Sequence, residues 1–186
     1  MKIVVWIVVA TAILSLNGSA QNLQSNLRAH EGDVKRLAKA IAGTWNISVK
    51  DEPSPELPHG ETYAGQEMWS EPGGGVVMEQ YRAKPSFGEQ AETALFWWDN
   101  KAQKFKGLWC ATINDEGCNG FNARWETDQF ICDGEWLYNG KHFVWREVWT
   151  FSVDSFIQKL YIGEPGSESR LASTIRGTKL MSGKKS

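Results

Sequence analysis

The chain has 186 residues, enough for one domain with a sizeable core. A composition of 41% hydrophobic and 23% charged residues excludes a disordered chain, and a formal net charge of −2 excludes the basic footprint of a nucleic-acid binder. The 10 tryptophans stand out, because so many bulky amphipathic rings point to a thick aromatic core or an aromatic-lined pocket.

Residues 1–20 read as a secretory signal peptide. Lys2 gives the positive start, Ile3 to Leu16 is apolar apart from Thr11 and Ser15, and Gly18-Ser19-Ala20 supplies the small residues of a cleavage site. The apolar run of roughly 14 residues is short against the ~20 that a membrane-spanning helix needs. No Cys follows Ala20 to carry a lipid. The expected product is exported, periplasmic or extracellular, with no stable membrane anchor. Losing Lys2 takes its net charge one unit below −2.

Residues 21–32 form a polar leader. Asp33 can cap a helix, and Val34, Leu37, Ala38 and Ile41 then recur at helical spacing. Gly43 is placed to end that helix in the left-handed conformation. From Thr44 the period switches to two, with Trp45, Ile47 and Val49 on one face. Asp51 to Gly60 carries three prolines and reads as an extended loop.

Further strands are expected over Thr62–Ser70, Gly75–Ala83, Glu92–Trp98, Lys104–Ile113 and Asn119–Glu126, then Phe130–Tyr138, His142–Phe151, Phe156–Ile162 and Arg170–Leu180. Tyr63 and Trp69 share a face in the first of these, and Phe105, Gly107 and Trp109 in a later one. Phe143, Trp145, Glu147, Trp149 and Phe151 share another, preceded by the hairpin signal Asn139-Gly140. About ten short strands with no room for crossover helices make an all-β fold, an antiparallel sandwich or barrel, over residues 33–181. Residues 182–186 are a basic tail.

The cysteines are Cys110, Cys118 and Cys132. Export permits one disulfide, and Cys110 with Cys118 would close the hairpin between them; three buried thiols satisfy the sequence equally well. The spacing is not that of a metal site, and no metal is expected.

Several stretches carry a resemblance: Leu37 to Trp45, Gly73 to Glu79, Trp98 to Trp109, and Arg146 to Thr150. Together they resemble a bacterial family of uncharacterised lipocalin-like domains in the calycin superfamily. Gly43-Thr44-Trp45 stands as the Gly-X-Trp signature of the first strand. The chain departs from that pattern in its extra tryptophans and its Pro-rich first loop. The resemblance implies a lipocalin-like barrel of about eight to ten strands with the short N-terminal helix at one end. It also implies that Trp45 packs against a basic side chain of the last strand, Arg176 first and Lys179 second, as a barrel closure. It brings no established reaction.

The candidate ligand-binding residues are Trp109, Trp125, Trp136, Trp145, Glu147 and Trp149. Glu147 lies in an aromatic row. Facing a cavity, it would be a buried carboxyl with a raised pKa; facing a partner layer, it would pair with Arg124 or Arg82. The paired reading is favoured because buried charges usually need partners. Adjacent Trp97 and Trp98 must face opposite sides of the sheet.

His30, His59 and His142 are the only histidines. The nitrobindins, a related barrel group, hold haem through one axial His, but nothing places these at an iron, and no cofactor is expected. No catalytic constellation is legible. The function expected is an exported binding protein holding a small apolar or amphipathic molecule in a Trp-rich barrel. The alternatives are a barrel enzyme using a buried Glu147, and a module binding protein or carbohydrate through exposed Trp97 or Trp98.

Overall fold

The computed structural model describes residues 33–55, 57–73, 75–113 and 117–181. The stretches read as signal peptide, leader and basic tail lie outside the described residues.

Helix α1 spans 33–41. Ten strands follow: β1 (Gly43–Asp51), β2 (Glu61–Gly73), β3 (Val76–Ala83), β4 (Gln90–Asp99) and β5 (Lys104–Ala111), then β6 (Cys118–Glu126), β7 (Gln129–Tyr138), β8 (Lys141–Phe151), β9 (Ser155–Gly163) and β10 (Arg170–Lys179). Each pairs antiparallel with its neighbours in sequence, and β1 pairs with β10, so the sheet closes into a barrel. Closure removes every unpaired edge. It also answers the sequence-level choice between sandwich and barrel.

The strands expected from the alternation are all present, with shifted ends. β2 continues to Gly73, past its expected end at Ser70, with a register irregularity between Ser70 and Gly73. β5 stops at Ala111 rather than Ile113. Gly43 stands just past the helix end with a positive φ, in the region that favours glycine, as expected of the residue that ends the helix. It is the first residue of β1, with φ of 131°, a conformation that only glycine adopts readily.

Antiparallel meandering gives the barrel two distinct ends. One end is closed by α1, whose stripe of Val34, Leu37, Ala38 and Ile41 is buried. Leu37 and Ile41 are fully buried, each burial worth about 1.5–3 kcal/mol. The Trp45 indole joins helix to barrel: its Nε1 donates to the Ile41 carbonyl at 2.7 Å, satisfying one of the orphan acceptors at a helix C-terminus. Arg36 lies over the Trp125 ring at 3.8 Å and donates to the Thr127 carbonyl at 2.7 Å, which fastens the helix's exposed side.

The basic partner of Trp45 is Lys179, its cross-strand neighbour, with Nζ 5.1 Å from the ring centroid. Arg176, the first expectation for this closure, is exposed and pairs with Ser48 in the ladder. The reason is the period of two: Gly177 and Lys179 point inward, so Arg176 points out. A Cβ at Gly43 would stand 2.9 Å from the Lys179 Cε; the glycine gives the lysine stem its path to the indole.

Above the helix the interior is filled by aromatic rings. Trp69, Trp149, Phe96, Phe105, Phe130 and Phe156 are buried and meet in edge-on and tilted pairs, with Trp149 stacked on Phe151, at centroid distances of 5.1–6.1 Å where Trp45, Phe121 and Phe151 join them. Such pairs add about 0.5–1.5 kcal/mol each beyond buried area.

One belt around the wall alternates ring and glycine. Phe96 on β4 faces Gly107 on β5, which faces Phe121 on β6, then Gly134 on β7, then Trp145 on β8. A Cβ at Gly107 would collide with the Phe121 ring, and one at Gly134 with the Trp145 indole. The glycines let both rings lie flat against the sheet.

Candidate functional site

The end of the barrel away from α1 holds an interior cavity of about 620 Å³, within the range typical of small-molecule sites. Strand ends and loops of this end form its mouth, including Leu57 from the Pro-rich segment, Phe87 before β4, Ile113 after β5 and Tyr138 at the end of β7. Phe87 is 63% exposed, an apolar side chain at the rim. A wider concavity of about 1130 Å³ lies on the outer face across β6 to β9. It is open to solvent and flanks the surface pairs that Asp133 makes with Arg124 and Arg146.

The cavity's lining carries carboxyl groups, Glu79 on β3, Glu92 on β4 and Glu147 on β8, with Asp51 at the end of β1 and Glu52 after it. Behind them Glu67 on β2 is completely buried. Glu67, Glu79, Glu92 and Glu147 each share their strand's inward parity with aromatic or apolar neighbours. Glu67 follows Tyr63 and precedes Trp69; Glu147 lies between Trp145 and Trp149. Indoles hold three of them in place. Trp69 Nε1 donates to Glu67 Oε2 at 2.9 Å, Trp149 Nε1 to Glu147 Oε2 at 3.2 Å, and Trp109 Nε1 to Glu92 Oε2 at 2.7 Å. Gln90 Nε2 donates to the other Glu92 oxygen at 2.6 Å.

Burial dominates the electrostatics. It pushes Glu147 up to about 7, opposed by the Trp149 and Gln158 hydrogen bonds and reinforced by Glu92. It pushes Glu67 up to about 8, with Trp69 pulling down and Glu147 and Glu92 adding repulsion. Glu79 is raised well above its ordinary value by burial, then by the charges of Glu67, Glu147 and Glu92. Glu92 is raised by burial against the pull of Trp109 and Gln90. Tyr63 and Tyr81 are both raised by burial, their phenols staying neutral.

Of the sequence-level candidates, Trp109, Trp136, Trp145 and Glu147 line the cavity. Trp109 and Trp136 stack at 5.2 Å with 29° between planes, and Trp145 meets Trp109 edge-on at 6.2 Å. Trp125 and Trp149 are elsewhere. Trp125 receives Arg36 at the helix end, and Trp149 is buried beneath Glu147, packed on Trp69 and Phe156.

Among the described residues Glu147 has no arginine partner. Arg124 pairs with Asp133 and Glu126, and Arg82 is exposed. Both arginines follow an inward residue, Ala123 and Tyr81, so alternation turns them out. Trp98 packs against Phe105 at 5.4 Å. Cys110 and Cys118 are joined as a disulfide, and Cys132 is a buried free thiol.

Glu67, Glu79 and Glu92 were not singled out from sequence. The available signal was parity together with the repeated pattern Glu67-Met68-Trp69 and Glu147-Val148-Trp149, which on a strand puts carboxyl and indole on one face. Among the described residues no three His, Cys, Asp or Glu groups converge to hold a metal ion.

No protein-family model matches the chain, and no curated protein matches it. A solved structure does: that of Rv2717c from M. tuberculosis, with a TM-score of 0.57 at 8% identity, covering 80% of this chain and 98% of that one. At that identity the likeness shows the fold alone.

Proposed function

We propose that this protein is a binding protein that holds a small amphipathic molecule inside its barrel. The observation that carries the reading is the 620 Å³ cavity, lined by the Trp109, Trp136 and Trp145 indoles and by carboxyl groups among them. Indoles offer flat apolar area to a ligand body, and the few polar groups among them fix orientation. The reading includes work outside the cytoplasm, supported by the apolar stretch Ile3 to Leu16 and by the Cys110–Cys118 disulfide.

The test is a titration of the purified protein with a panel of amines, alcohols, fatty acids, haem and aromatic probes, followed by tryptophan fluorescence. A saturable change at one ligand per chain is expected, because three indoles line the cavity. Silence across the panel overturns the reading. Fractionation of expressing cells, with N-terminal sequencing of the product, checks export; a cytoplasmic product that still begins at Met1 overturns that part.

A further inference from the structure

We propose that the molecule held in the barrel is an organic cation, a protonated amine on an apolar or aromatic body, drawn into the cavity by the carboxyl groups of Glu79, Glu92 and Glu147 that line it. This rests on the binding reading above and narrows it to one chemical class.

The first support is an imbalance of charge. Carboxyl groups from β3, β4 and β8 face one cavity, with Glu67 behind them. The cation among the described lining residues is Arg170, which is exposed at the mouth and reaches toward the Pro53 carbonyl at 3.4 Å. Lys179 is committed to Trp45 at the opposite end. Buried carboxyls without a basic partner are costly, and a cationic guest relieves both their desolvation and their mutual repulsion.

The second support is a set of unused acceptors. Gln90 and Gln158 line the cavity at 9% and 6% exposure, and among the described residues the Oε1 of each has no hydrogen-bond partner. The Gln90 amide is oriented by its own donation to Glu92, which leaves its oxygen free toward a guest. Buried polar atoms are normally paired, and two orphan acceptors ask for a guest that donates. An ammonium group donates up to three hydrogen bonds and accepts none.

The indoles fit the same guest. Stacked Trp109 and Trp136 present π faces that attract cations and accept an apolar body. Among the described residues the Nε1 groups of Trp136 and Trp145 have no partner. A bare metal ion fits less well, since no three ligating groups converge among the described residues.

The experiment compares three probes with one body and different heads: phenylbutylamine, phenylbutanol and phenylbutyrate. They are titrated calorimetrically into the purified protein at about pH 8, above the value of about 7 to which burial lifts Glu147. The amine is expected to bind at least about tenfold more tightly than the alcohol, and the carboxylate most weakly. The double variant Glu92→Gln with Glu147→Gln should lose at least about tenfold in amine affinity while its alcohol affinity stays within about threefold. The retained alcohol binding shows that the variant is folded. If the alcohol or carboxylate binds as tightly as the amine, or the variant holds the amine as well as the parent does, the cation assignment falls while the binding reading stands. If none of the three binds and the broader panel is also silent, both fall.

Discussion

Replacing Glu67 with Gln isolates the cost of charging this interior. Glu67 is fully buried between Trp45 and Tyr81 across the ladder, and one of its oxygens accepts from Trp69 while the other has no partner. The titratable groups that act on it or feel it are Glu79, Glu92, Glu147 and Tyr81. Burial lifts its pKa from 4.5 to about 8. A carboxyl whose folded value exceeds its unfolded value holds its proton more tightly in the folded state. Its contribution to stability is therefore complete below about 4.5 and is lost as the pH rises to about 8.

At about 1.4 kcal/mol per unit, the whole window is on the order of 5 kcal/mol, of which about 3 kcal/mol is lost by pH 7. The amide cannot ionise, still accepts from Trp69, and relieves the repulsion that Glu67 exerts on Glu79. Urea denaturation followed by tryptophan fluorescence, repeated from about pH 5 to about pH 9, should show wild-type stability falling by several kcal/mol. The fall in Glu67→Gln should be smaller by a few kcal/mol. Parallel curves for the two proteins, or a wild type whose stability is flat over that range, would refute the reasoning.

Three further outcomes are expected. Lys179→Ala should destabilise the protein by about 1 kcal/mol through loss of the cation over Trp45, while Arg176→Ala stays within about 0.5 kcal/mol; equal effects in thermal melts would remove Lys179 from the seam. Gly107→Ala, whose new methyl is driven into the Phe121 ring, should cost about 1–3 kcal/mol, read as a lowered urea midpoint. The double variant Cys110→Ser with Cys118→Ser opens a cross-link of sequence separation 8 and should lose about 2–3 kcal/mol. A reducing agent should then lower the melting temperature of the parent and leave that of the variant unchanged.

Alternation made most of the barrel legible. The row from Phe143 to Phe151 and the row from Phe130 to Tyr138 both face inward as their period of two requires. Asn139-Gly140 lies at the turn between β7 and β8, with positive φ at both residues. The site was less legible, for a physical reason. Carboxylates are ordinarily solvated, so Glu67, Glu79 and Glu92 were passed over although each keeps the parity of an inward neighbour. For Glu147 the same expectation supplied an arginine partner. Parity refutes it, because Arg82 and Arg124 sit beside inward residues and must face water. Parity also decides between Arg176 and Lys179. What it could not give is height along the barrel, which depends on strand tilt and register. Trp125 and Trp149 share the inward face with Trp109 and Trp145, yet serve the helix end and the floor beneath Glu147.

The belt from Phe96 to Trp145 sets the gauge of the tube. In a barrel with this many strands the wall alone would leave a wide bore, and the rings decide how much of it remains. Where a glycine faces a ring, the ring lies flush and the bore stays open; a methyl at Gly134 would tip the Trp145 indole toward the axis. The width of the bore is thus written in two missing β-carbons, at Gly107 and Gly134. It can be narrowed there without altering any carboxyl or amide that a guest would touch.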